Sequence, residues 1–263
     1  MKLQDYLARE EISAAEFARR IGRAVSTVAR ILHGDTIPEP ETLARIVVAT
    51  GGAVQPNDFS SPAADAAAAS GAAEEELMRA RLYRLLARFL AAPPDRALLD
   101  MAAALEGNAG EFGIAVTGLA RAAAAATPDA AAAEFHDLFI GVGRGELVPY
   151  GSYYMTGFLN EKPLARLRGD LAAMGIARAA GVPETEDGIA ALCEVMAGLI
   201  DGAFGAPAEL PAQRRFYEAH LAPWAGRFFG DLERAEAARL YAALGTLGRL
   251  FMAVEEAAFA MET

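Results

Sequence analysis

Leu82, Leu85, Leu86, Phe89 and Leu90 fall at i, i+3, i+4, i+7 and i+8, a spacing that gathers side chains on one face of an α-helix. The same stripe recurs at Leu164, Leu167, Leu171 and Met174, at Ile189, Leu192, Cys193, Met196 and Ile200, and at Leu240, Leu244, Leu247, Phe251 and Val254. No run alternates apolar and polar residues between turn signals, so strands are not expected. Helices with stripes this wide must pack against one another, and the spacing predicts an all-α bundle. Pro93 and Pro94 stop the first of these helices, because proline lacks the N–H that would continue the ladder. Thr127 as cap and Pro128 in the first turn open another, which carries Phe135, Leu138 and Phe139 toward the core before Gly141. Alanine is abundant among the 54% apolar residues, which favours helix over bulky packing yet leaves enough for a sizeable core.

The chain divides by composition. Residues 60–73, SSPAADAAAASGAA, hold no bulky apolar side chain and read as an Ala-rich linker between a domain at 1–59 and a larger one at 74–263. In the first, Ser13 and Glu16 form a capping box ahead of Phe17 and Ile21. Gly22 permits a tight turn, Val28, Ile31 and Leu32 mark a second helix, and Leu43, Ile46 and Val47 mark a third behind Pro38 and Pro40. The stretch FARRIGRAVSTVARILHG, Phe17 to Gly34, resembles the helix-turn-helix of Cro/repressor type. That resemblance would turn Arg23, Val25, Ser26, Thr27 and Arg30 toward DNA. Valine at 25 cannot make the bidentate hydrogen bond by which a glutamine there reads adenine, and residues 1–60 carry seven Lys/Arg against eight Asp/Glu. A helical scaffold for dimerisation or docking is the competing account.

Several chemistries find no support. A single cysteine, Cys193, builds neither a disulfide framework nor a zinc site, and fits a reducing compartment. His33, His136 and His220 lie far apart, none with a second ligand at helical spacing, and no catalytic, metal or cofactor set is expected. No uncharged apolar stretch is long enough for a membrane span, so a soluble cytoplasmic protein is expected. The net charge of −11 falls almost entirely after residue 60, where 17 Lys/Arg face 27 Asp/Glu, a balance that attracts cationic peptides and repels phosphate backbones. The loop GVGRG, Gly141 to Gly145, follows a helix and precedes no Gly-Lys-Ser/Thr, so it reads as a positive-φ turn and not as a phosphate cradle.

One segment joins a helix end, that glycine loop and an aromatic cluster: EFHDLFIGVGRGELVPYGSYYMTGFLNEKPLARLR, Glu134 to Arg168. With PETEDGIAALCEVMAGLI (Pro183 to Ile200) and FYEAHLAPWAGRFFGDL (Phe216 to Leu232), it resembles the TorD/DmsD/NarJ-like group of molybdoenzyme chaperones, and within it the branch associated with formate dehydrogenase. The family's second signature usually reads Glu-Pro-Glu-Asp-His; here Thr185 and Gly188 replace its proline and histidine. The resemblance implies a helical bundle that is not an enzyme. Its implied partner is the twin-arginine signal peptide or apo form of a molybdenum enzyme precursor, the formate dehydrogenase catalytic subunit being the expected client, and helix exchange could make a homodimer.

A groove for such a peptide needs an apolar wall and an acidic end, since arginine pairs with carboxylates through forked hydrogen bonds. Tyr150, Tyr153 and Phe158 are candidates for the wall, Ser152 for a backbone-directed hydrogen bond, and Glu184, Glu186 and Asp187 for the acids. His220 and Trp224 in the third segment are candidate contacts or core anchors. Spacing alone favours core for Tyr153, Tyr154 and Phe158 and a helix first-turn role for Glu186 and Asp187. The resemblance is what makes Tyr150, Ser152, Glu184 and Asp187 binding residues.

Overall fold

A computed structural model describes residues 1–33, 36, 38–59, 62–177 and 185–261. The fold is all-α; among the described residues, extended backbone pairs only at an isolated antiparallel bridge, Tyr150 with Gly188. The chain divides into two compact units, Met1–Glu74 and Glu75–Thr263.

The first unit holds α1 (Leu3–Arg9), α2 (Ala14–Ile21), α3 (Val25–Leu32), α4 (Pro40–Ala49) and a 3-10 turn (Pro56–Phe59). The Ser13 hydroxyl accepts the Glu16 N–H at 3.2 Å, giving α2 the cap that the sequence announces. Gly22 ends α2 at φ 64, a left-handed conformation that costs glycine nothing, and the chain turns there into α3. Phe17, Ile21, Val28, Ile46 and Val54 bury together beneath the four helices. Arg45 ties α4 back by donating to the Ile21 carbonyl at 3.1 Å.

Helix α5 (Pro62–Ala91) runs through most of the stretch expected as a linker. Residues 60 and 61 lie outside the described residues; from 62 onward the alanines that deny the segment a core also give it the highest helix propensity. The larger unit continues with α6 (Arg96–Ala103), α7 (Glu111–Ala125), α8 (Pro128–Phe135) with a π-helical extension (His136–Ile140), α9 (Gly151–Thr156) and α10 (Lys162–Ala173). It closes with α11 (Ile189–Asp201), α12 (Leu210–His220), α13 (Ala225–Arg234) and α14 (Leu240–Met261). Helix α14 packs along α13 and α7. The approach to α13 requires Gly245 and Gly248, because a Cβ at either would collide with the Glu233 backbone or the Phe229 ring. Tyr83, Phe89, Trp224, Phe228 and Tyr241 are fully buried, each contributing about 1.5 to 3 kcal/mol through the area it removes from water.

One charge inside this core had no signal in the sequence. Glu255 is 1% exposed. It accepts two N–H groups from Arg79, both at 2.7 Å, and the Tyr83 hydroxyl at 2.9 Å, which ties α5 to α14. A carboxylate so buried persists only because each oxygen is matched.

Candidate functional site

The long signature segment begins with two acids that act on the fold. The Glu134 carboxylate accepts the backbone N–H groups of Arg239, Leu240 and Tyr241, at 2.7 to 3.2 Å, and so caps α14 from a distant part of the chain. The Glu146 carboxylate takes the N–H groups of Glu236 and Ala237. Between them the chain doubles back: Leu147 donates to the Leu138 carbonyl at 2.8 Å and Glu146 to that of Asp137 at 3.1 Å. Gly141 at φ 61 makes the reversal, and a Cβ there would strike the Arg144 carbonyl. Gly141 and Gly143 therefore form the positive-φ turn that the sequence implies.

The two quoted segments that start α9 and α11 are stapled together. Gly151 donates to the Asp187 carbonyl at 2.9 Å and Ile189 to the Pro149 carbonyl at 3.0 Å, on either side of the Tyr150 to Gly188 bridge. The Asp187 carboxylate completes the staple. One oxygen accepts the Ser152 N–H at 2.8 Å, capping α9 from outside it, and the other accepts the Thr185 hydroxyl at 2.7 Å. The Ser152 hydroxyl is buried with no partner among the described residues. Beneath α9 lies Trp224, 1% exposed, against which Gly151 packs so closely that a Cβ would sit 3.0 Å from the indole nitrogen.

Beside the staple opens a groove of about 330 Å³. Its walls are apolar: Ala87, Leu90 and Ala91 from α5, Pro149 and Tyr150 from the turn, and Ile189 from α11. Arg88 and Glu194 supply its charges. Gly188 contributes no side chain to the lining; at φ −65 its Cβ position lies 3.5 Å from the Tyr150 ring, in ordinary contact. On the same short helix, Tyr153 and Tyr154 line a second, more polar cleft of about 400 Å³ with Arg144, Arg227 and Asp231.

The expected binding residues thus separate. Tyr150 borders the groove, whereas Tyr153 borders the cleft and Phe158 is 70% exposed one residue beyond Gly157, which also lines the cleft. Glu184 lies outside the described residues. Glu186 is held by the Arg168 guanidinium through contacts of 2.8 and 3.0 Å. Asp187 is 3% exposed with its oxygens engaged on Ser152 and Thr185, so the expectation that it meets an incoming guanidinium gives way to a structural role as cap and staple. Ser152, fully buried, offers its N–H to that carboxylate and not to a peptide.

His220 and Trp224 are likewise interior. The Trp224 N–H donates to the His220 carbonyl at 2.7 Å, and the His220 ring meets Asp170 at 2.8 Å. Burial outweighs the Asp170 carboxylate and holds the imidazole below its ordinary pKa. These two residues are core anchors, the alternative that the sequence left open. Glu194 is the acid that the sequence reading missed; its sole signal was its place at the polar edge of the Ile189 to Ile200 stripe.

In the first unit Val25, Ser26 and Arg30 are exposed on α3 and Thr27 is half-buried. Arg23 is engaged, donating to the Thr42 hydroxyl at 3.0 Å and pairing with Glu41 at 3.0 Å. That pairing removes from a DNA-facing surface one of the two cations it was expected to carry.

Among the described residues no cluster of His, Cys, Asp and Glu could hold a metal ion, and no helix is long and apolar enough to cross a membrane. Burial pushes the Cys193 thiol well above its usual pKa, so it stays protonated and unreactive.

Comparison with known proteins bears on this same region. Residues 105–230, which include the glycine loop, the staple, α9 to α12 and the first part of α13, match the family model described as nitrate reductase delta subunit. The matched residues all fall within the larger unit. Chaperone protein TorD of Vibrio cholerae serotype O1, El Tor Inaba strain, is 32% identical over 128 residues, 46% of this chain and 58% of that protein. TorD of the Classical Ogawa strain matches to the same extent. The chain therefore spans somewhat under three fifths, 58%, of the curated relatives it matches. Among solved structures, a protein of Archaeoglobus fulgidus described as a candidate redox enzyme maturation protein has a TM-score of 0.45 at 24% identity, covering 67% of this chain and 94% of that one.

Proposed function

We propose that this TorD-like protein is a cytoplasmic, non-catalytic chaperone. In this reading it captures the precursor of a molybdenum-containing oxidoreductase, a formate dehydrogenase catalytic subunit, by its twin-arginine signal peptide or an apo segment, and holds it until the cofactor is loaded. The observation that carries the reading is the groove at the staple. It is apolar along the α5, Tyr150 and Ile189 walls, and Glu194 stands exposed at its side. An apolar helical segment laid there loses water from one face, which supplies affinity, while a guanidinium on Glu194 supplies register. The similarity of residues 105–230 to the delta-subunit family, and of 46% of the chain to a TorD chaperone, supports the same assignment.

The test is a dye-labelled synthetic peptide bearing Arg-Arg followed by an apolar helical segment, titrated against the full chain by fluorescence anisotropy. Saturable binding that falls about tenfold in Glu194→Lys, a loss of about 1.4 kcal/mol, agrees with the reading. Equal affinity in the variant removes the groove from the mechanism.

A second reading rests on α3, whose Val25, Ser26 and Arg30 are exposed at the position where a helix-turn-helix meets base edges. In it the first unit binds an operator and the larger unit senses the precursor. A mobility shift of the protein's own upstream DNA at physiological salt, abolished by Arg30→Ala, would support it. No shift by the full chain would leave α3 as scaffold.

A further inference from the structure

The cleft on the other side of α9 carries the opposite charge logic to the groove. The Arg144 guanidinium lies over the Tyr153 ring, 5.1 Å from its centroid, and that of Arg227 over the Tyr154 ring at 5.0 Å. Each is also anchored by a hydrogen bond, Arg144 to the Tyr153 hydroxyl and Arg227 to the Tyr154 carbonyl. The two rings stand edge to face at 6.2 Å, and both cations they carry line the one cleft. Neither has a carboxylate within ion-pair distance among the described residues, although Glu146 and Asp231 line the same cleft. The acids that share the cleft are already committed. Glu146 caps the Glu236 and Ala237 amides, and Asp231 accepts the Tyr154 hydroxyl and pairs with Arg234.

Two stacked guanidiniums with unused donors therefore converge in a chain whose net charge is −11. Exposed apolar side chains neighbour them in the chain: Val142, two residues before Arg144, is fully exposed, and Phe158, 70% exposed, follows the Gly157 that lines the cleft. We propose that this cleft is a docking site for an acidic polypeptide segment that also carries a large apolar side chain. Its carboxylates would seat on Arg144 and Arg227 by forked hydrogen bonds, and its apolar side chain would cover Phe158 and Val142. Rings that hold the cations in place lower the ordering cost of that contact. The site does not depend on the groove reading, and its ligand has the opposite charge.

The experiment titrates a dye-labelled decapeptide of alternating glutamate and leucine against the full chain at low salt, with a lysine and leucine decapeptide as control. The expected result is saturable binding of the acidic peptide alone, weakened at least tenfold by Arg144→Gln with Arg227→Gln and several-fold by Val142→Ser with Phe158→Ser. Both variants should keep the native circular dichroism and melting midpoint, since all four residues replaced are exposed. Glu194→Lys should leave acidic-peptide binding unchanged, which separates this site from the groove. Undiminished binding in the arginine variant overturns the proposal. So does displacement of the peptide by inorganic pyrophosphate at lower concentration than the peptide itself requires, with no effect of the Val142 and Phe158 changes, because the cleft would then be a simple anion site.

Discussion

Two pockets meet at the six-residue helix α9, one lined by the turn that enters it and the other by its own Tyr153 and Tyr154, and they differ in nearly everything else. The groove at Tyr150 is apolar with one acid and one cation, Glu194 and Arg88, while the cleft at Tyr153 and Tyr154 is polar with two cations stacked on its rings. Both owe their shape to a helix too short to be stable alone, since a single turn does not recover the cost of nucleation. Helix α9 exists because Asp187 caps its start and Trp224 packs beneath it. The same local device thus serves opposite chemistries, and the residues that hold α9 are distinct from those that face a ligand.

Asp187→Ala is the severest way to break that comparison. It strips a buried N–H of its acceptor and removes the cap of α9, so we expect a loss of about 2 kcal/mol in urea unfolding together with weakened binding at both pockets. An effect confined to Arg-Arg peptide binding, with stability intact, would mean that Asp187 meets the ligand after all. Glu194→Lys should act on one pocket only, with about tenfold weaker Arg-Arg peptide binding and unchanged urea midpoint.

Acid tests His220, whose carbonyl holds the Trp224 on which α9 packs. Because burial depresses the His220 pKa, the unfolded chain takes up the proton more readily than the folded one. The stability due to this group is full above about pH 6.5 and falls as pH drops toward the lower folded value. The melting midpoint should therefore decline more between pH 7 and 5 in the native protein than in His220→Gln; parallel curves would remove His220 from the account. Smallest of all should be Gly188→His. Its φ is negative and the Cβ meets only ordinary contacts, so stability should stay within about 0.5 kcal/mol while the new ring narrows the groove and changes Arg-Arg peptide affinity. A loss above about 1 kcal/mol would show that the position tolerates no side chain.

What the sequence disclosed was what local chemistry determines. The Thr127 cap on the Ala130 N–H, the αL glycine after α2 and the stripe from Ile189 to Ile200 all stand where the spacing placed them. What it hid depends on partners far along the chain. Asp187 and Glu186 read as acids available to a peptide, because nothing beside them shows that Ser152 and Arg168, 35 and 18 residues away, will claim them. Nothing near Glu255 in the chain announces its partner, because Arg79 lies 176 residues away on α5. The free cations were equally silent, since an arginine is recognised as unpaired only once every neighbour is known. Arg144, lone among the glycines of GVGRG, was the single hint.

The carboxylates of Glu134 and Glu146 bear on how genetic data from such a chain should be interpreted. Under the chaperone function proposed above, a complementation screen scoring enzyme maturation in cells would flag both positions as sharply as any contact with the client, yet each acts by anchoring the segment that leads into α14 or the start of that helix itself. Dead alleles there report a bundle that has lost its seams, and only alleles that preserve soluble yield can map the surface a client touches.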